Sequence, residues 1–201
     1  LGKIYRQQKQ SIVAEEHLER ALELYRQLGR RRDEIEVLLE LAQVSLERKK
    51  FHSAAERFVE ALKMAEEAQE PQGIWSAHYG LAQAAKNVGN KSLAIDHLKM
   101  AVDAVEGVTK RLKVELHKSA FLENKLILYD ELISLLGPAK AAEAFGYSER
   151  RRARAFLESS QRLSSSSIPA SEELLQKKKE VESRLIGKQR AMLIQFSRPS
   201  D

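Results

Sequence analysis

The chain has 201 residues, of which 43% are hydrophobic and 31% charged, so it can bury a core behind a charged surface. Nine glycines and four prolines are too few for a β-sandwich, which needs turn residues about every 8–12 positions. The absence of cysteine excludes disulfides, cysteine nucleophiles and thiolate metal sites. No apolar run approaches the roughly 18 residues of a membrane span and no signal peptide opens the sequence, so we expect a cytoplasmic protein without membrane contact.

The net charge of +5 lies in the C-terminal third of the chain. Residues 138–201 hold 13 basic and 8 acidic side chains, whereas residues 1–137 hold 21 of each. A basic segment of this size allows nucleic-acid binding as one alternative for function. Such binding normally requires denser clustering of charge on one face, and we rank it behind the protein-binding functions considered below.

A forty-residue period dominates residues 1–107. The copies share columns of small and apolar residues, which are Leu1-Gly2, Leu41-Ala42 and Leu81-Ala82; Ala14, Ala54 and Ala94; Leu18, Phe58 and Leu98; Ala21, Ala61 and Ala101; and Leu22, Leu62 and Val102. Three copies in register predict a repeat protein rather than a chance pattern. Leu1-Gly2 corresponds to the middle of a first helix, so we expect a fragment of a longer protein or preceding residues that are disordered.

Each copy is predicted to be a helical hairpin. The small residue and the alanine twelve positions later stand where the two helices cross, because small side chains let backbones approach to about 8–10 Å. The spacing i, i+4, i+7 from Ala14 is the buried stripe of a second helix. Turns within copies are predicted at Lys9-Gln10, Lys49-Lys50 and Gly89-Asn90, and turns between copies at Gly29, at Pro71 with Gly73, and at Gly107.

This pattern resembles the tetratricopeptide repeat, whose Leu-Gly/Ala, Tyr, Ala-x3-Phe/Leu-x2-Ala motif is matched in the first copy by Leu1-Gly2, Tyr5, Ala14, Leu18 and Ala21. Ser45 and Ala85 replace the tyrosine in the later copies, no proline closes a copy, and the period is that of longer-helix variants. The resemblance implies an all-α fold, a right-handed α-solenoid of hairpins with a C-terminal helical extension. It also implies a non-enzymatic scaffold that binds a partner protein or peptide on its concave face.

A fourth, stretched hairpin is predicted over residues 108–163. Ala141, Phe145 and Ser148 repeat the spacing of the second helix, and the longer first helix is placed at about 109–136. Gly137-Pro138 marks the turn, since proline is tolerated at the start of a helix. A plain helical hairpin without repeat ancestry is the alternative.

The C-terminal part is divided into a serine-rich linker at 164–170 and an amphipathic helix with a tail at 171–201. The near-heptad stripe of this helix includes Leu174, Val181, Leu185 and Met192. It is too apolar to remain in water alone, so we expect it to fold back on the helix at about 138–163 or to pair with another chain.

Residues 144–157 resemble the junction between repeats and peptidase domain in the CHAT family of caspase-like proteins, which reads Ala-Phe-x-x-Ser/Ala-Glu-Arg-x-x-Ala-Arg-x-Leu. This resemblance gives a second functional hypothesis, the regulatory arm of a caspase-like peptidase. A Cys/His catalytic pair cannot form without cysteine, so a catalytic domain would lie outside this chain.

The predicted binding groove lies on the faces of the first helices that the hairpin contacts leave free. Its lining is mixed, amide-rich and mildly basic, with Gln43 and Gln83 expected to bond a peptide backbone and Tyr79 to pack on an apolar anchor. Leu39 and Tyr79 replace the lysine of the carboxylate-clamp subset, and glutamines replace its asparagine, so capture of acidic chaperone tails is not expected. An empty, solvated concave face is the alternative. The full set is Lys3, Arg6, Leu39, Gln43, Leu46, Tyr79, Gln83, Lys86 and Asn87.

Other residues that could take part in catalysis or binding have simpler structural explanations. The five histidines show no metal-ligand spacing, so we predict no catalytic residue, cofactor or metal. His97 is expected to be a satisfied surface or groove histidine, and the carboxylates to pair with bases at i±3 and i±4. Arg30-Arg31-Arg32 is read as a solvated loop rather than a phosphate site, and Arg150–Arg154 as packing rather than nucleic-acid binding. Trp75 and Tyr79 fit a core role and a groove role equally.

Overall fold

The computed structural model describes the backbone of residues 1–111 and 125–167 and the side chains of 1–108 and 125–155. Leu1–Glu158 forms one compact unit, and Ser159–Asp201 is a second unit of which only the backbone of 159–167 is described. The described part is all-α, without a strand. Its helices are α1 (Gly2–Gln7), α2 (Ser11–Gln27), α3 (Arg31–Glu47), α4 (Phe51–Glu67), α5 (Pro71–Asn87), α6 (Lys91–Arg111), α7 (Leu126–Leu136) and α8 (Ala141–Ser167), with a 3-10 turn at Pro138–Lys140.

The first unit is a solenoid of helical hairpins whose turns recur every twenty residues. The backbone is left-handed at the middle residue of each three-residue turn between α1 and α6, with φ values from 49° to 82°. In each turn the next amide donates to the carbonyl five residues back, as Lys50 N does to Ser45 O at 2.9 Å, which is the Schellman ending of a helix. The left-handed residues are Lys9, Gly29, Lys49, Gln69 and Gly89.

Most residues of the repeat columns are buried in the core, as the sequence predicts, although Leu1 is 80% exposed. Ala14, Ala54 and Ala94 have no exposed surface. A Cβ added to Gly2 would lie 2.6 Å from Cγ of Leu18, so α1 and α2 cross at the close contact that the small residue allows. The hairpins are therefore built in the register of the forty-residue period.

Two turn predictions between copies are corrected. Pro71 is the first residue of α5 rather than part of a turn, because proline fits the first helical position, where no intrahelical N–H bond is needed. Gly107 does not interrupt the chain, since α6 runs through it to Arg111. A helical glycine without a left-handed φ weakens a helix without ending it.

The fourth hairpin differs from its prediction in bounds and in phase. The helix placed at about 109–136 begins at Leu126, and residues 112–124 lie outside the described part. Gly137, with φ of 60°, and Pro138 form the expected turn. Phe145 is 66% exposed although its counterparts in the three copies are buried, and Ala144 and Tyr147 pack against the core instead. A one-residue offset rotates a helical face by about 100°, so matching residue types alone gave the wrong face.

The C-terminal predictions are only partly open to comparison. Residues 164–167, assigned to a linker, are the last turn of α8 and hence helical. Residues 168–170 and the amphipathic helix at 171–201, with the self-association expected of it, lie outside the described residues.

Most ion pairs join different helices, and only a few, such as Arg30–Asp33 and Arg152–Glu149, follow the expected i±3 and i±4 pattern. Arg26 Nη2 lies 2.7 Å from Glu60 Oε1, and Arg57 Nη2 lies 2.5 Å from Glu19 Oε1. Arg31 Nη2 reaches Glu67 Oε2 at 3.2 Å. Helices about one repeat apart lie side by side in a solenoid, so charges 34 and 38 positions apart become neighbours. Arg31 begins α3 and Glu67 ends α4, so their pair joins the two helices of one hairpin.

Candidate protein-interaction cleft

A cleft of about 600 Å³ opens on the first helices of the hairpins, α1, α3 and α5. Three residues of α3 at intervals of seven and four, Arg32, Leu39 and Gln43, line one wall along a single helical face. Their counterparts forty residues later, Gln72, Tyr79 and Gln83, line the facing wall on α5. In each of these two triplets an apolar side chain lies between two polar ones.

Six of the nine predicted groove residues line this cleft, namely Lys3, Arg6, Leu39, Gln43, Tyr79 and Gln83. Leu46 was placed there wrongly, because it lies four residues after Ala42 on the same buried face and packs in the core near Ala54. Lys86 is outside the lining, 3.7 Å from Glu131 Oε2. The Asn87 amide donates back to the Gln83 carbonyl at 2.9 Å.

The cleft is balanced in charge rather than mildly basic. Lys3 pairs with Glu36, and Arg6 Nε lies 2.9 Å from Glu40 Oε2. Burial acts to lower the pKa of Lys3, but the hydrogen bonds and charges of Glu36 and Glu40 outweigh it and raise that pKa. The lining holds three cations and three carboxylates, which are Lys3, Arg6 and Arg32 with Glu36, Glu40 and Glu70.

Several lining residues were missed by the sequence prediction. Arg32, Glu36, Glu40 and Gln72 stand three to seven positions from Leu39, Gln43 or Tyr79 on the same faces. Extending the predicted helical face by one and two turns toward its N-terminus would have found them. Their pairing across helices has no signal in a single sequence.

The aromatic residues of α5 serve the core and the cleft together. Tyr79 and Trp75 both line the cleft and both pack against the cluster around Leu128 and Leu132. The Tyr79 hydroxyl donates to Glu131 Oε1 of α7 at 2.7 Å, and burial, with this bond, raises the pKa of Tyr79 to about 12. Tyr79 is therefore a neutral phenol whose hydroxyl is held by Glu131.

His78 and His97 form a hydrogen-bonded pair between α5 and α6, away from the cleft. Their Nδ1 atoms are 3.2 Å apart and their ring centroids 5.4 Å apart. The two nitrogens thus face each other nearly head-on, as in one N–H···N bond. Burial, with the neighbouring His97 charge, lowers the pKa of His78 to about 4. The bond satisfies His97, as predicted, but His97 is half-buried between two helices rather than at the surface or in the groove.

The two arginine runs are mostly engaged by carboxylates. Arg30 pairs with Asp33 at 2.7 Å and Arg31 with Glu67, while Arg32 turns into the cleft. Arg154 Nη2 lies 3.7 Å from Glu106 Oε1, which also accepts the buried Tyr129 hydroxyl. The partners of the rest of the second run are Glu106 for Arg150, Asp130 for Arg151 and Glu149 for Arg152. These contacts support the packing interpretation.

Neither a metal cluster nor a membrane helix occurs in the described residues. No three His, Asp or Glu side chains among residues 1–108 and 125–155 come together as metal ligands. Within the described backbone, every helix is too short or too polar to cross a bilayer.

Comparison with known families agrees with the hairpins in the first part of the chain. A family model for the tetratricopeptide repeat matches residues 1–67, which contain α1 to α4. No curated protein matches the chain. The CHAT-like reading of residues 144–157 lies outside the family match and stays a prediction. With its helical hairpins in a forty-residue register and this match, the chain contains tetratricopeptide repeats over residues 1–67.

Proposed function

We propose that the cleft on α1, α3 and α5 binds a segment of a partner protein, as a non-enzymatic scaffold. Tetratricopeptide repeats generally mediate protein–protein interaction. The observation that carries the proposal is the cleft of about 600 Å³, a volume typical of ligand sites, lined by paired polar and apolar walls.

The lining suits a peptide better than a small polar metabolite. Leu39 and Tyr79 offer an apolar centre, and Gln43 and Gln83 stand at one end, each able to donate to and accept from a peptide backbone. From Arg32 to Gln43 the cleft follows eleven residues of α3, or about 16 Å at about 1.5 Å per residue. That length accommodates about five extended residues, or about three turns of a helix.

A test starts from short peptides selected on the purified chain from a random library. The substitutions Gln43→Ala and Gln83→Ala together should weaken their binding by at least about tenfold, since they remove the two amides at one end of the cleft. The matched control is Gln8→Ala with Gln27→Ala, two exposed glutamines outside the cleft. Tyr79→Ala is unsuitable because it also breaks the contact with Glu131.

Fluorescence polarisation gives the affinities and thermal unfolding checks the fold. Peptides that bind the cleft variant and the control variant equally would show that the ligand uses another surface, which would overturn the proposal.

A further inference from the structure

Arg32 differs from the other cations of the cleft. Lys3 and Arg6 are both held by carboxylates of α3. Within the described residues no carboxylate pairs with Arg32, although Arg30 and Arg31 beside it each have a partner. Arg32 is exposed in the second position of α3 and faces the cleft. Its charge is thus available to a ligand.

The wall that faces Arg32 holds one side-chain amide donor and one carboxylate that already caps a helix. On the facing wall, Gln72 uses its Oε1 atom to accept the Trp75 indole N–H at 3.0 Å, which leaves its amide N–H groups for a ligand. The lining carboxylate of Glu70 is the cap of α5, where it accepts the Gly73 N–H. This end of the cleft therefore presents a guanidinium and an amide donor together.

We infer that the partner segment carries an aspartate or glutamate that binds Arg32 and Gln72, about 10 Å from an apolar residue that packs between Leu39 and Tyr79. The distance follows from the seven residues of α3 that separate Arg32 from Leu39. It corresponds to seven residues in a helical segment or about three in an extended one. Arginine suits this role because its planar fork matches a carboxylate.

This inference rests on the proposed function and names the chemistry of its ligand. The test uses labelled peptides with one leucine and one glutamate at each of these two spacings, each with a twin in which glutamine replaces the glutamate. We expect the purified chain to prefer the glutamate peptide at one of the two spacings by about fivefold, and the preference to shrink as salt is added.

Adjacent arginines supply a matched pair of variants. Arg32→Gln should abolish the preference for glutamate, whereas Arg31→Gln, which removes the same charge one residue away from the cleft, should keep it. Both side chains are exposed, so the melting temperature should stay nearly unchanged in each variant. An Arg32→Gln variant that still prefers glutamate as the parent does would overturn the inference.

The two proposals fail in different ways. Equal binding of glutamate and glutamine peptides by the parent chain would overturn the role of Arg32 and leave the cleft as a peptide site. Failure of every peptide, including those selected from the library, to respond to changes at Gln43 and Gln83 would overturn the cleft itself and the Arg32 inference with it.

Discussion

The ring of Phe58 on α4 lies directly against the backbone of Gly80 on α5. A Cβ added at Gly80 would be 2.2 Å from two ring carbons, far inside van der Waals contact. The corresponding positions of the first copy hold Leu18 and Glu40. The second copy therefore has a larger residue, Phe58, on its second helix and the smallest residue, glycine, opposite it. The pair sets how closely α4 and α5 approach beneath the cleft.

Gly80→Ala should therefore destabilise the protein by about 1–3 kcal/mol, although alanine favours the helix, because the ring cannot move without overpacking the core. Phe58→Leu in the same chain should recover part of the loss, with a coupling of about 0.5–3 kcal/mol. Urea unfolding of the two single variants and the double variant measures it. Additive effects would show that the ring and Gly80 do not share the contact.

The left-handed turn residues predict opposite stability changes for two substitutions, one that introduces a glycine at a turn and one that removes it. Lys49 has φ of 59°, which strains a residue with a Cβ, so Lys49→Gly should stabilise the chain by about 0.5–1 kcal/mol. Gly29 has φ of 63° and open space around it, so Gly29→Ala should cost about 1 kcal/mol through the backbone alone. The melting temperatures report both, and shifts of the same sign in the two variants would contradict this account.

The hairpin crossings predict a cost for larger side chains in the alanine column. Ala54→Leu and Ala94→Leu should each destabilise by about 1–3 kcal/mol, since both alanines are fully buried. Ala142→Leu on the exposed surface of α8 is the control and should change stability little. Unchanged thermal unfolding of both buried-site variants would show that the helices do not cross there.

Stability should fall on mild acidification through the histidine pair. The pKa of His78 is lowered to about 4 in the folded chain, so between pH 6.5 and 4 the unfolded state binds more protons. The contribution of His78 to the free energy of unfolding is fully present above pH 6.5. It decreases by about 1–3 kcal/mol as the pH falls through this window. Urea unfolding between pH 5 and 7, above most carboxylate titration, isolates the effect.

His78→Leu, which copies Leu38 at the equivalent position, should flatten that slope. The exposed His52 provides the control, because His52→Ala should leave it as it was. Burial also lowers the pKa of His97, so a slope that survives in full in a chain carrying both His78→Leu and His97→Leu would place the titrating group elsewhere.

The sequence by itself determined the hairpins, most of the buried columns and six of the seventeen residues that line the cleft. Helical periodicity is local, and three copies at one spacing repeat the same packing, so Ala14, Ala54 and Ala94 could be placed in the core from their order alone. The same arithmetic put Leu39, Gln43, Tyr79 and Gln83 on a shared face.

Only the tertiary structure decided the charge balance of the cleft, the phase of α8, and that no carboxylate among the described residues pairs with Arg32. Glu40 neutralises Arg6 from 34 residues away, and Glu131 fixes Tyr79 from 52 residues away, distances that no local pattern encodes. The residue type of Phe145 predicts a core position, but the side chain lies at the surface. Each residue rotates a helix by about 100°, so the face that a residue occupies depends on where the preceding turn ends. The order of the residues specifies periodic burial. Ion pairs between helices, and the face that a helix turns to the core, are decided only when the helices pack.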